Sequence, residues 1–137
     1  MIRWFEKHNK ISLGITILIA IIIFYLSSLT FEQSSQQTNT NSILYHFFAF
    51  FSFAFFLLIL SVKGKEKHLI FFLSILISIL YGISDEFHQF FVQGRYCSFS
   101  DVLVNTTGIL FASMIYLVSV KYRKKFIYPK MTMNYET

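Results

Sequence analysis

Four apolar runs, each close to the length of a helix that crosses a bilayer, constrain this chain more than any other feature. They cover residues 11–29, 43–62, 69–91 and 102–120; the third is fully apolar only to Ile83 and continues amphipathically to Phe91. Nineteen residues at about 1.5 Å each give about 28 Å of helix, near the thickness of the hydrocarbon core. Backbone groups in lipid must be bonded within the chain, and a β-barrel would need alternating polarity that these runs lack. The predicted fold is therefore all-α: an integral membrane four-helix bundle with short loops, forming a single domain over residues 1–137. Only 14% of the residues are charged, against about 25% in soluble proteins, and the apolar content excludes a disordered chain. A lone Cys97 excludes an internal disulfide framework. The bias to Phe, Ile, Lys, Asn and Tyr over Ala and Pro points to an AT-rich, bacterial coding sequence.

The basic residues orient the bundle. Arg3, Lys7 and Lys10 precede the first run, Lys63, Lys65 and Lys67 separate the second from the third, and Lys121, Arg123, Lys124, Lys125 and Lys130 follow the fourth. With four crossings, all of these lie on one side and Arg95 alone on the other. The positive-inside rule then predicts cytoplasmic N and C termini in the cell membrane. The first run is longer than a signal-peptide core and lacks an A-x-A site, so it reads as a retained helix. The net charge of +5 flanks membrane segments, where anionic lipid is the natural partner, and predicts no nucleic-acid binding.

With this topology the unusual polar residues gather at the outer face. His46 lies about one turn inside the second helix. Asp85, Glu86, His88 and Gln89 close the third, Arg95 is in the loop, and Asp101 opens the fourth with Asn105 one turn deeper. Asp85, His88 and Gln89 fall in one helical stripe with Glu86 on its shoulder, while Asp101, Asn105 and Gly108 share a face. Ionisable groups at membrane depth are costly and take partners; Arg95, the sole fixed cation on that side, is the expected partner of the acids. Blander roles stand beside these. His46 can bond a neighbouring carbonyl, Asp101 can serve as an N-cap, Gly94-Arg95 can be only a turn, and the Phe clusters suit packing and lipid contact.

The run Ser84-Asp85-Glu86-Phe87-His88-Gln89-Phe90-Phe91-Val92-Gln93-Gly94-Arg95, followed by Ser98-Phe99-Ser100-Asp101-Val102-Leu103-Val104-Asn105-Thr106-Thr107-Gly108, resembles the signature of the VanZ-like membrane protein family. In that family an acidic pair and a Gln close one helix, a Pro-Gly-Arg turn follows, and Asp-Val-x-x-Asn/Asp-x-x-Gly opens the next. Gln93 stands where the family usually has Pro. Tyr45-His46-Phe47 and Ser27-Ser28 are weaker matches. The resemblance implies a cell-envelope protein of a family named for resistance to the glycopeptide teicoplanin. It carries over to Asp85, Glu86, Gln89, Arg95, Asp101, Asn105 and Gly108, and less firmly to His46 and His88.

Three functions follow as expectations. In the first, His46, Asp85, Glu86, His88, Gln89, Arg95, Asp101 and Asn105 form an outer-leaflet pocket. It would bind membrane lipid, a lipid-linked cell-wall precursor or a lipoglycopeptide, with Arg95 meeting an anionic group. In the second, the same residues catalyse acid–base or metal-assisted chemistry on a lipid-linked substrate. No H-E-x-x-H motif or nucleophile elbow supports that, and Asp85-x-x-His88 is a weak ligand pair, so no cofactor or metal is expected. The third, transport, would need polar groups in the inner halves of the helices, which are almost purely apolar.

Overall fold

The computed structural model describes residues 2–30, 40–65, 67–95 and 97–127. It contains five helices: α1 (Ile2–Lys7), α2 (Asn9–Ser27), α3 (Thr40–Val62), α4 (His68–Gln89) and α5 (Phe99–Ile127). No strand occurs among the described residues. The last four helices are long and apolar enough to cross a membrane, so the chain is all-α and multi-pass, as the four runs predict. The short α1 was not expected. It ends at Lys7; the ring nitrogen Nδ1 of the next residue, His8, lies 2.8 Å from the Trp4 carbonyl, and Ser12 of α2 donates to the Phe5 carbonyl across the bend.

Helix ends differ from the apolar runs for local reasons. The last turn of α4 tightens, with the amides of Phe91 and Val92 bonding the carbonyls of His88 and Gln89. Gly94 at φ +81° then reverses the chain, a backbone state that costs glycine little. α5 opens earlier than its apolar run because the Ser98 carbonyl accepts the amides of Asp101 and Val102. That places Asp101 in the first turn of α5 and corrects its expected role as N-cap. The carboxylate instead lies where the N-terminal end of the helix dipole favours negative charge. α5 also continues seven residues beyond Val120; the side chains of Lys124 and Lys125, and all of Lys130, lie outside the described residues.

α3 packs against each of the other helices, most extensively along α5. Gly108 makes that approach possible: a Cβ there would collide with the Phe47 carbonyl oxygen and stand 3.2 Å from the Phe51 amide nitrogen. The core has two layers. One holds Ile23, Phe50, Phe53, Ala54, Ile109 and Ala112; the other holds Leu58, Ile59, Val62, Phe71 and Tyr116. Outside them Ile21, Phe72, Leu76, Leu80, Phe87 and Leu103 are exposed, an apolar belt that suits lipid and not water.

Polar groups cap the core at both ends. At the end carrying α1 and the Lys63–Lys65 turn, Arg123 grips the Glu6 carboxylate with two bonds of 2.6 and 2.8 Å. The Tyr116 hydroxyl donates to Glu6 at 3.3 Å and accepts the Gly64 amide at 2.9 Å. The opposite end holds the acidic cluster.

Candidate functional site

Four helices deliver polar side chains to this second end. α2 brings Ser27 from its last residue, α3 brings His46 from its second turn, α4 brings Asp85, Glu86 and Gln89 from its last two turns, and α5 brings Asn105 from its second turn. Each of the six is at least 97% buried. Helical spacing explains why one helix supplies three of them: Asp85 and Gln89 are one turn apart on a single face, and Glu86 sits about 100° round from Asp85.

Glu86 is the hub. Its Oε1 lies 3.6 Å from His46 Nδ1 and accepts a 3.5 Å contact from Asn105 Nδ2. Its Oε2 accepts the Ser98 backbone amide at 3.3 Å, so the loop before α5 is tied to α4 through this carboxylate. His46 Nδ1 also lies 3.1 Å from Asn105 Oδ1. Asp85 faces α2. Its Oδ2 accepts Gln89 Nε2 at 3.2 Å, and the same amide reaches Ser27 Oγ at 3.5 Å. Asp85 Oδ1 is buried with no hydrogen-bond partner, as is the Tyr45 hydroxyl oxygen. Buried polar atoms normally find a partner, so two orphans at one locus mark a place where a further group fits.

The remaining expected residues take other positions. His88 is half-buried; its Nε2 lies 3.0 Å from Ser28 Oγ and its ring stacks on Phe24 at 4.5 Å. Arg95 donates from Nε to the Leu29 carbonyl at 3.2 Å and from Nη2 to the Leu26 carbonyl at 3.0 Å. It thereby straps the end of α2, whose last carbonyls lack intrahelical donors. The side chain that Glu86 meets at 3.6 Å is His46, where the sequence pointed to Arg95. Asp101 is half-buried and stays outside the hydrogen-bonded network of Glu86, His46 and Asn105.

One donor of each of His46, Asp85 and Glu86 lies within 4.8 Å of the others. This trio joins α3 to α4, and the spacing within α4 alone suggested Asp85 with His88 instead. Tyr45 connects the cluster to an apolar groove of about 620 Å³ between α2 and α3, lined by Ile19, Ile22, Ile23, Leu44, Tyr45 and Phe48. Its rim residues Ile22, Leu44 and Phe48 are exposed, so the groove opens on the apolar side of the bundle. The Tyr45 ring stands edge-on to His46 at 5.3 Å. The groove is thus mostly apolar, with Asn41, Tyr45 and Ser52 as its polar residues, an arrangement suited to an amphiphile.

The Glu6–Arg123–Tyr116 layer at the other end was not anticipated from the sequence. The available signals were Glu6, an acid among basic residues, and Tyr116, a hydroxyl in an apolar run.

Compared with known proteins, residues 12–120 match the family model described as VanZ/LLP1. No curated protein and no solved structure matches the chain.

Proposed function

The chain belongs to the VanZ/LLP1 family, and from that premise we propose that it is a bacterial cell-envelope protein that binds a lipophilic or lipid-linked molecule in the outer leaflet. The observation that carries this reading is the junction at Tyr45 between an open apolar groove and a buried polar cluster. An acyl or prenyl chain would lie between α2 and α3. The polar head would reach the Tyr45 hydroxyl, whose oxygen is buried without a hydrogen-bond partner. Binding of a lipid-linked cell-wall precursor, or of a glycopeptide that carries an acyl chain, would contribute to resistance of the teicoplanin type. Membrane lipids are its surroundings and its competing ligands.

Native mass spectrometry of the purified protein tests this reading. A lipid should co-purify, and Phe48→Trp, which narrows the groove, should reduce its occupancy several-fold with the protein still folded. In cells, loss of the protein should increase sensitivity to an acylated glycopeptide more than to one without the chain. Equal sensitivity to both, with no bound lipid, would remove the proposal.

The outer placement rests on the positive-inside rule and has its own test. Cys97 is exposed at the end of the molecule that carries the cluster. An impermeant maleimide should label it in intact cells to the same extent as after lysis. Labelling only after lysis would turn the bundle over and put the cluster at the cytoplasmic face.

A further inference from the structure

We propose that His46, Asp85 and Glu86 bind one divalent transition-metal ion, with the side-chain oxygen of Asn105 as a fourth donor. The inference is independent of the lipid reading.

The first observation is geometric. The three donors, one from each residue, lie within 4.8 Å of one another, and Asn105 Oδ1 is 3.1 Å from His46 Nδ1. Metal bonds of about 2.0–2.2 Å set donor atoms about 3.4 Å apart in a tetrahedral site. The group therefore needs to close by little more than an ångström at its widest. The donors come from three helices already held together by the Glu86 and Asn105 bonds.

The second observation is the orphan oxygen. Asp85 is 3% exposed, Gln89 occupies its Oδ2, and Oδ1 has no partner. A buried carboxylate oxygen without a donor costs free energy unless something binds it. Gln89 plays the part of an outer group that orients a ligating carboxylate.

The third is charge. Two adjacent carboxylates are buried at membrane depth, where unpaired charge is expensive. A dication balances both. The donor set also narrows the metal. One imidazole with two carboxylates and no thiolate suits Zn²⁺, Mn²⁺ or Fe²⁺. Ca²⁺ takes 6–8 oxygens at longer distances, which this site does not offer.

The test uses the full chain without a histidine tag, stripped with a chelator and titrated with ZnCl₂ in detergent by calorimetry. One Zn²⁺ per chain is expected. Asp85→Asn and Glu86→Gln, which keep side-chain shape, should each weaken binding beyond the roughly 10–100-fold that loss of an outer-shell group costs. A chain with His8→Ala, His68→Ala and Cys97→Ser should bind as wild type, because those side chains lie outside the cluster. A Co²⁺ titration of the wild-type protein keeps the proposal testable even where a variant fails to fold: visible d–d bands without a thiolate charge-transfer band are expected. No stoichiometric Zn²⁺, wild-type affinity in both carboxylate variants, or a thiolate band that assigns the ion to Cys97 would each overturn it.

Discussion

Gly108→Leu is expected to leave almost no folded protein. Its Cβ alone would collide with the Phe47 carbonyl oxygen, and the Phe51 amide nitrogen stands 3.2 Å away. These are backbone atoms, so no rotamer change relieves the clash; α5 must move away from α3. Overpacking a core costs about 1–3 kcal/mol where side chains can adjust, and about 3 kcal/mol or more is expected here. The helix propensity that a non-glycine residue gains, up to about 1 kcal/mol, does not offset it. The displacement also reaches the cluster. Phe47 follows His46, and Asn105 lies one turn from Gly108, so moving the helices apart breaks the 3.1 Å contact between His46 and Asn105. Gly14→Ala is the matched control, because a Cβ there meets nothing within 4 Å. The yield of monodisperse protein and its thermal unfolding in detergent report both. A Gly108→Leu protein as stable as Gly14→Ala would show that the α3–α5 contact is looser than the structure has it.

Arg123→Ala is expected to destabilise the opposite end by about 2 kcal/mol. Glu6 is 9% exposed and loses two charge-assisted bonds, keeping among the described residues only the Tyr116 hydroxyl. Removing one partner of a fully buried pair costs about 3–5 kcal/mol; Arg123 is 23% exposed, and water reduces the penalty. Arg123→Lys should recover less than half of the loss, because an ammonium keeps the charge but not the two-pronged geometry. Replacing both residues, Glu6→Leu with Arg123→Leu, should be milder than Arg123→Ala, since no buried charge is left behind. Unfolding temperatures of the four proteins decide the point. Wild-type stability in Arg123→Ala would mean that α1 is not held by this pair.

How much was legible in the sequence differs from element to element. The four membrane helices follow from run length and polarity, because lipid leaves the backbone no other way to satisfy its amides. Helix ends were less legible. α5 begins at Phe99 because of a local bond to the Ser98 carbonyl, and α1 is too short and too polar to leave a hydropathy signal. Within α4 the stripe of Asp85 and Gln89 was readable, since 100° per residue sets which side chains share a face.

Which residues meet across helices was another matter. Charge alone paired the acids with Arg95. The fold instead turns Arg95 to the carbonyls of Leu26 and Leu29 and sets His46 beside Glu86. It sends His88 to Ser28, leaves Asp101 outside the network, and clamps Glu6 to Arg123, which lie 117 positions apart. The sequence by itself determined how many membrane-length helices there are, at which end the acidic cluster gathers and which side chains share a face, because helix geometry and the low polarity of lipid act locally. Partner choice depends on the rotation and separation of packed helices. Close contacts such as Gly108 against Phe47 set those, and only the tertiary structure decides them.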